Sequence, residues 1–281
     1  MFAIPRLRLL GALVIGSALA VLLALVAFSP AAQANHSWGK YHWARTSNPF
    51  TLKLADNVSP TVVSPWDDHL AATSTDWSNG SSVLDTTIIS GQRNPTTCSP
   101  TMGQVEVCNA AYGTNGWLGV AQIWVSRRHI VQGTTKVNDT YFNTAKYNTP
   151  AWRQLVMCQE VGHTFGLDHQ DENFNNTNLG TCMDYTSDPD GTLANPDQLS
   201  NEHPNQHDYA QLATIYTHLD NKTTVSSTSA ASTMPPAANQ GNLNSRAEWG
   251  RKIHESPNGQ LALYERDFGN GKRVFTFVIW A

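Results

Sequence analysis

Residues 150–169 constrain this chain more than any other stretch. Pro150 suits the first turn of a helix, and an apolar stripe follows at Trp152, Leu155 and Val156. Continued seven and eleven residues beyond Trp152, the same stripe reaches Gln159 and His163. Polar groups on the buried face of a helix are costly unless something satisfies them, and a metal ion would do so. Side chains four residues apart on a helix project together, so Gln159 and His163 share that face. Gly166 ends the helix as a left-handed cap does. The turn it makes brings His169 back toward the same site.

Glu160 lies beside these residues. Neutral imidazole suits zinc, and a carboxylate next to the ion can take a proton from water and return it to a leaving amine. An isolated E-x-x-H would equally fit an ordinary helix. Here Gly166, His169 and the later Met183 stand in register with it. The spacing is that of H-E-x-x-H-x-x-G-x-x-H with Gln159 in place of the first histidine. Strands, a ligand helix, a methionine turn and a further helix then follow in that order. On these residues, positions 49–219 resemble the metzincin clan of zinc metalloproteases, broadly its matrixin-like and pappalysin-like secreted members.

The resemblance implies an α/β fold: a twisted mixed sheet packed on the ligand helix, a Met-turn and a C-terminal helix. It implies one catalytic Zn2+ held by His163, His169 and Gln159, with Met183 in the Met-turn beneath it. The implied reaction is endopeptidase cleavage of a peptide or protein substrate, with Glu160 as general base toward a metal-activated water. Tyr185, two residues after the methionine, stands where astacin-like and serralysin-like relatives place a tyrosine that reaches the metal or the oxyanion. Tyr185 packed beneath the site is the other reading. Gln159 leaves three: a weak amide ligand, a substitute ligand from His36, His42 or Asp171, or a degenerate site. In the last case the chain is a metal-poor or inactive pseudoprotease, a secreted binding module.

The N-terminus bears on where this chemistry takes place. Arg6 and Arg8 precede an apolar run from Leu9 to Phe28, and Ala32-Gln33-Ala34 is a small-x-small cleavage site. Residues 1–34 therefore read as a signal peptide cleaved after Ala34, and the mature chain as secreted and extracellular. A membrane anchor is the alternative if the segment is retained. Loss of the two arginines takes the net charge from −4 to −6. A mildly acidic chain without basic runs has no electrostatic case for nucleic acid. Four cysteines in an oxidising compartment allow three pairings. Local pairing favours Cys98 with Cys108, and Cys158 with Cys182. A monomer is expected.

Elsewhere, residues 49–58 alternate Phe50, Leu52 and Leu54 with polar residues, as a half-buried strand does. A helix follows, with Ser64 as cap, Pro65 in the first turn, and Trp66, Leu70 and Trp77 near one face. Residues 82–89, 104–108, 117–125 and 129–137 read as strands, and 91–102 and 170–203 as loops. Residues 204–219 read as an amphipathic helix. The catalytic domain spans 35–220, a Ser/Thr/Pro-rich linker 221–240, and a small β-rich module 241–281. That module is a meander with turns at Pro257-Asn258-Gly259 and Gly269-Asn270-Gly271.

Overall fold

The computed structural model describes residues 35–59, 65–81, 83–225 and 243–281. The segment read as a signal peptide, the expected Ser64 cap and most of the expected linker lie outside the described residues. The rest is a mixed α/β structure. Its strands are β1 (His42–Trp43), β2 (Phe50–Asn57), β3 (Leu84–Ser90), β4 (Val105–Ala110), β5 (Trp117–Ser126), β6 (His129–Asn138), β7 (Arg251–Glu255), β8 (Leu261–Asp267) and β9 (Lys272–Trp280). Its helices are α1 (Trp66–Asn79), α2 (Asp139–Phe142), α3 (Pro150–His163) and α4 (Gln206–Ile215).

Among the described residues the strands form one sheet in the order β3-β2-β4-β6-β5-β9-β8-β7, with β1 also paired to β6. The half from β3 to β6 is parallel. Chain direction reverses at β5, and β9, β8 and β7 continue antiparallel. In β2, Phe50, Leu52 and Leu54 are buried and Thr51 is exposed, as the alternation requires.

Helix α3 begins where the sequence places it. The Thr149 hydroxyl accepts the Trp152 backbone N–H at 3.2 Å, and Pro150 fills the first turn. Every residue from Ala151 to His163 is buried. Close packing on the sheet depends on a glycine in β5: a Cβ at Gly119 would lie 2.5 Å from Val156 Cγ1 and 2.7 Å from Glu160 Oε1. On another side, Trp77 of α1 donates its indole N–H to Cys158 O at 3.3 Å.

Two elements differ from expectation. Helix α4 stops at Ile215 because the Tyr216 carbonyl is taken by Asn48 Nδ2 at 2.9 Å and Arg45 Nη2 at 2.7 Å. Tertiary hydrogen bonds thus intercept the last turn. Residues 251–280 do form a meander with turns at the two expected places, but it is not set apart from the core. Strand β9 pairs with β5 from Trp117 opposite Trp280 to Ser126 opposite Lys272. The reason is legible in β9 itself, where Phe275, Phe277 and Ile279 alternate with Val274 and Val278. The first set joins the core around α3 and the second a core with Trp117, Trp124 and Trp249. A strand apolar on both faces is covered on both.

Candidate functional site

Helix α3 delivers Gln159, Glu160 and His163 to one end of the core. The chain then turns at Gly166, whose φ is +105° and whose Cβ would lie 2.7 Å from the Tyr41 carbonyl. No other residue fits there without moving that backbone. The N-terminal segment pins the turn: Trp38 N–H reaches Gly166 O at 3.3 Å, and Asp168 N–H reaches His36 O at 2.8 Å. Indole N–H groups of Trp38 and Trp43 cap His163 O (3.1 Å) and Thr164 O (2.9 Å). These are carbonyls that a helix end leaves without partners.

The result brings His163 Nε2 and His169 Nε2 to 3.1 Å from each other. Each ring is held from behind. The His163 Nδ1–H donates to Leu167 O at 2.9 Å, while His169 Nδ1 faces Asp168 Oδ1 at 3.5 Å and Glu172 Oε1 at 3.6 Å. With both Nδ1 atoms carrying hydrogen, the two Nε2 lone pairs point at each other. That arrangement needs a cation, either a shared proton or a metal. Two imidazole nitrogens at tetrahedral positions about 2.0–2.1 Å from one zinc lie roughly 3.3–3.4 Å apart, close to the separation found. Carboxylates behind a ligating imidazole are the usual means of fixing its tautomer.

Without a metal the pair carries one proton. Burial opposes charge on His169, but hydrogen bonds to Asp168 and Glu172 outweigh it and raise its pKa to about 9. Burial, with the neighbouring His169 charge, lowers His163 to about 3. Glu160 is raised well above the carboxylate range by burial, which His169 and a hydrogen bond from the Ala121 backbone N–H only partly offset.

Gln159 donates its amide N–H to Cys182 O at 2.9 Å, while its Oε1 is buried and makes no hydrogen bond. It is thus an unpartnered acceptor one turn before His163. The three candidate substitutes are engaged elsewhere. His36 Nε2 lies 3.0 Å from Asp208 Oδ1, His42 sits with His218 and Asp220, and Asp171 accepts the Asn173 N–H at 2.7 Å.

Met183 is buried beneath α3, where a Cβ on Gly162 would come within 2.7 Å of its sulfur. The Cys158–Cys182 disulfide joins α3 to that turn, and Cys98–Cys108 holds the 91–102 loop against β4. Tyr185 packs on Phe174 with ring centroids 5.0 Å apart. Its hydroxyl donates to Gln260 O at 2.9 Å, so here it serves the C-terminal strands.

Those strands close the site. Phe277 of β9 stacks on His163, with centroids 4.1 Å apart and rings 13° from parallel. His254 of β7 reaches Glu172 Oε2 at 2.8 Å. Gln159, Glu160, His163 and Tyr185 are all 3% exposed or less. Phe277 and Gly119 were not singled out from sequence. A glycine within a strand does mark close backbone approach, but no local signal places Phe277 on a histidine more than a hundred residues earlier.

No helix of the described residues is long and apolar enough to cross a membrane, and the two disulfides suit an oxidising compartment. Compared with known proteins, the chain matches no family model and no curated protein. Among solved structures it is similar to high choriolytic enzyme 1, a hatching-enzyme zinc protease from Oryzias latipes (medaka fish). The identity is 11%, the match covers 66% of this chain and 98% of that chain, and the TM-score is 0.35. A likeness of that size carries no argument about the site.

Proposed function

We propose that this chain is a secreted zinc-dependent endopeptidase whose site is closed, in the conformation described, by its own C-terminal strands. The observation that carries the reading is the convergence of His163 and His169 Nε2 at 3.1 Å beside a buried carboxyl group. The order β3-β2-β4-β6-β5, the ligand helix and the methionine beneath it supply the scaffold that such a site needs.

His163, His169 and the Gln159 amide oxygen would hold the ion. Zinc in such a site supplies Lewis acidity toward a scissile carbonyl. Glu160 moves the proton: it takes one from the attacking water as the new C–O bond forms, and gives it to the amine nitrogen as the C–N bond breaks. Burial disfavours the ionised form of Glu160 in the closed form, so displacement of β9 and entry of water would favour its action as a base. Asp168 and Glu172 orient His169, and Leu167 O orients His163.

Coverage of the pair by Phe277 favours a second reading, a binding module whose site is permanently sealed. Zinc titration of the full chain, paired with hydrolysis of an unfolded protein substrate, separates the two. We expect one equivalent of zinc that is lost in His163→Ala, and hydrolysis that rises when Phe277→Ala uncovers the site and stops with chelator. Absence of any His163-dependent zinc would end the peptidase reading. Zinc without hydrolysis in the uncovered variant would leave the binding module.

A further inference from the structure

A second histidine group lies where the N-terminal segment meets the end of the core. Ligand atoms of His42, His218 and Asp220 all lie within 4.8 Å of one another. The three come from β1 and from the segment after α4. His42 is 4% exposed. Its Nδ1–H donates to Lys40 O at 3.1 Å, so its Nε2 carries a bare lone pair. That nitrogen makes no hydrogen bond and stands 3.4 Å from Asp220 Oδ2. A neutral imidazole lone pair aimed at a carboxylate oxygen is repulsive unless a cation lies between them.

The surroundings are those of a ligand set fixed from behind. Arg45 holds Asp220 Oδ2 through its Nη1 and its backbone N–H, both at 3.2 Å. His129 Nε2 lies 3.1 Å from Oδ1, and His218 Nε2 is 3.8 Å from the same oxygen. Arg45 offsets part of the carboxylate charge, so the imidazoles must supply most of the affinity. That favours a transition ion over magnesium or calcium. The His218 side chain is 58% exposed, which provides an entry path and the freedom to close the last ångström toward an ion.

We propose that His42, His218 and Asp220 form a divalent transition-metal site of the zinc class, separate from the His163–His169 pair. Two imidazoles and a carboxylate with one position left to solvent are an ordinary zinc donor set. The ion would clamp β1 to the end of the core. Trp43, adjacent to His42, caps the Thr164 carbonyl, so the clamp also steadies the turn that positions His169.

Zinc titration with metal analysis of four full-length chains tests this: the natural sequence, His169→Ala, His218→Gln, and the two changes together. His218 is exposed, so His218→Gln should fold normally. We expect His169→Ala to keep one zinc equivalent, and His218→Gln to weaken that equivalent at least tenfold. In the natural background His218→Gln should lower the stoichiometry by one. A His169→Ala chain that binds no zinc, or one whose zinc is indifferent to His218→Gln, would overturn the proposal. Neither result touches the peptidase reading, which depends on zinc lost in His163→Ala.

Discussion

The two histidine groups are built from the same parts and tuned in opposite directions. At the inner pair, carboxylates stand behind His169 and raise its pKa to about 9, so a proton competes with any metal. At the outer group, the carboxylate faces the imidazole nitrogens and is already answered by Arg45, while burial lowers the His42 pKa. The inner pair is sealed by Phe277, and the outer group opens at His218. A carboxylate behind an imidazole fixes its tautomer and raises its basicity, whereas one opposite it adds a donor of its own.

The sharpest separation of the two should come from Glu160→Ala. It removes the proton carrier and no ligand, so hydrolysis should fall by about 10²–10⁴-fold while zinc at both groups is unchanged. Retained hydrolysis would take Glu160 out of the mechanism. Replacing Cys158 and Cys182 together by serine cuts the tie between α3 and the Met183 turn. Chain-entropy reasoning puts the loss at about 3.5 kcal/mol for a loop of this size, measurable by denaturant unfolding. Zinc at the inner pair should weaken, whereas the outer group should not respond.

Stability of the metal-free chain should respond to pH in opposite senses at His169 and at His42. His169 is raised in the fold, so its contribution is fully present below about pH 6.5 and is lost as pH climbs through about 9, up to about 3 kcal/mol in all. His42 is lowered, so its neutral form contributes above about pH 6.5, and that stability is lost as pH falls. Unfolding curves in chelator from pH 5 to 10 should lose the upper limb in His169→Ala. A limb that stays would mean the Asp168–His169–Glu172 contacts do not persist in solution.

The smallest effect expected is from Gln159→His. A nitrogen donor replacing an amide oxygen one turn before His163 should tighten inner zinc by about tenfold, with the outer group unchanged. No tightening would place position 159 outside the ligand shell.

Much of the core was legible locally. Alternation marked β2, strand-like runs marked β3 to β6, and Pro150 marked the start of α3. The positive-φ glycine marked the turn to His169, and proximity in sequence marked both disulfides. The end of α4 and the pairing partner of the C-terminal strands were not legible, for a common reason. Arg45 intercepts the Tyr216 carbonyl across more than 170 residues, and β9 finds β5 across a comparable span. Periodicity within a window carries no information about such partners.

By itself, then, the sequence determined the residue types and their spacing: Gln159 and His163 on one helical face with Glu160 beside them, Gly166 to turn the chain, and His169 to return. Helical period and glycine's access to positive φ are local properties, so they can be read locally. Tertiary structure alone decided that Phe277 lies on His163, that Tyr185 answers Gln260, and that His42 leaves the first site for Asp220 and His218. Those outcomes depend on which distant strand covers an open sheet edge and which carboxylate a buried imidazole meets, and packing settles both only when the whole core assembles.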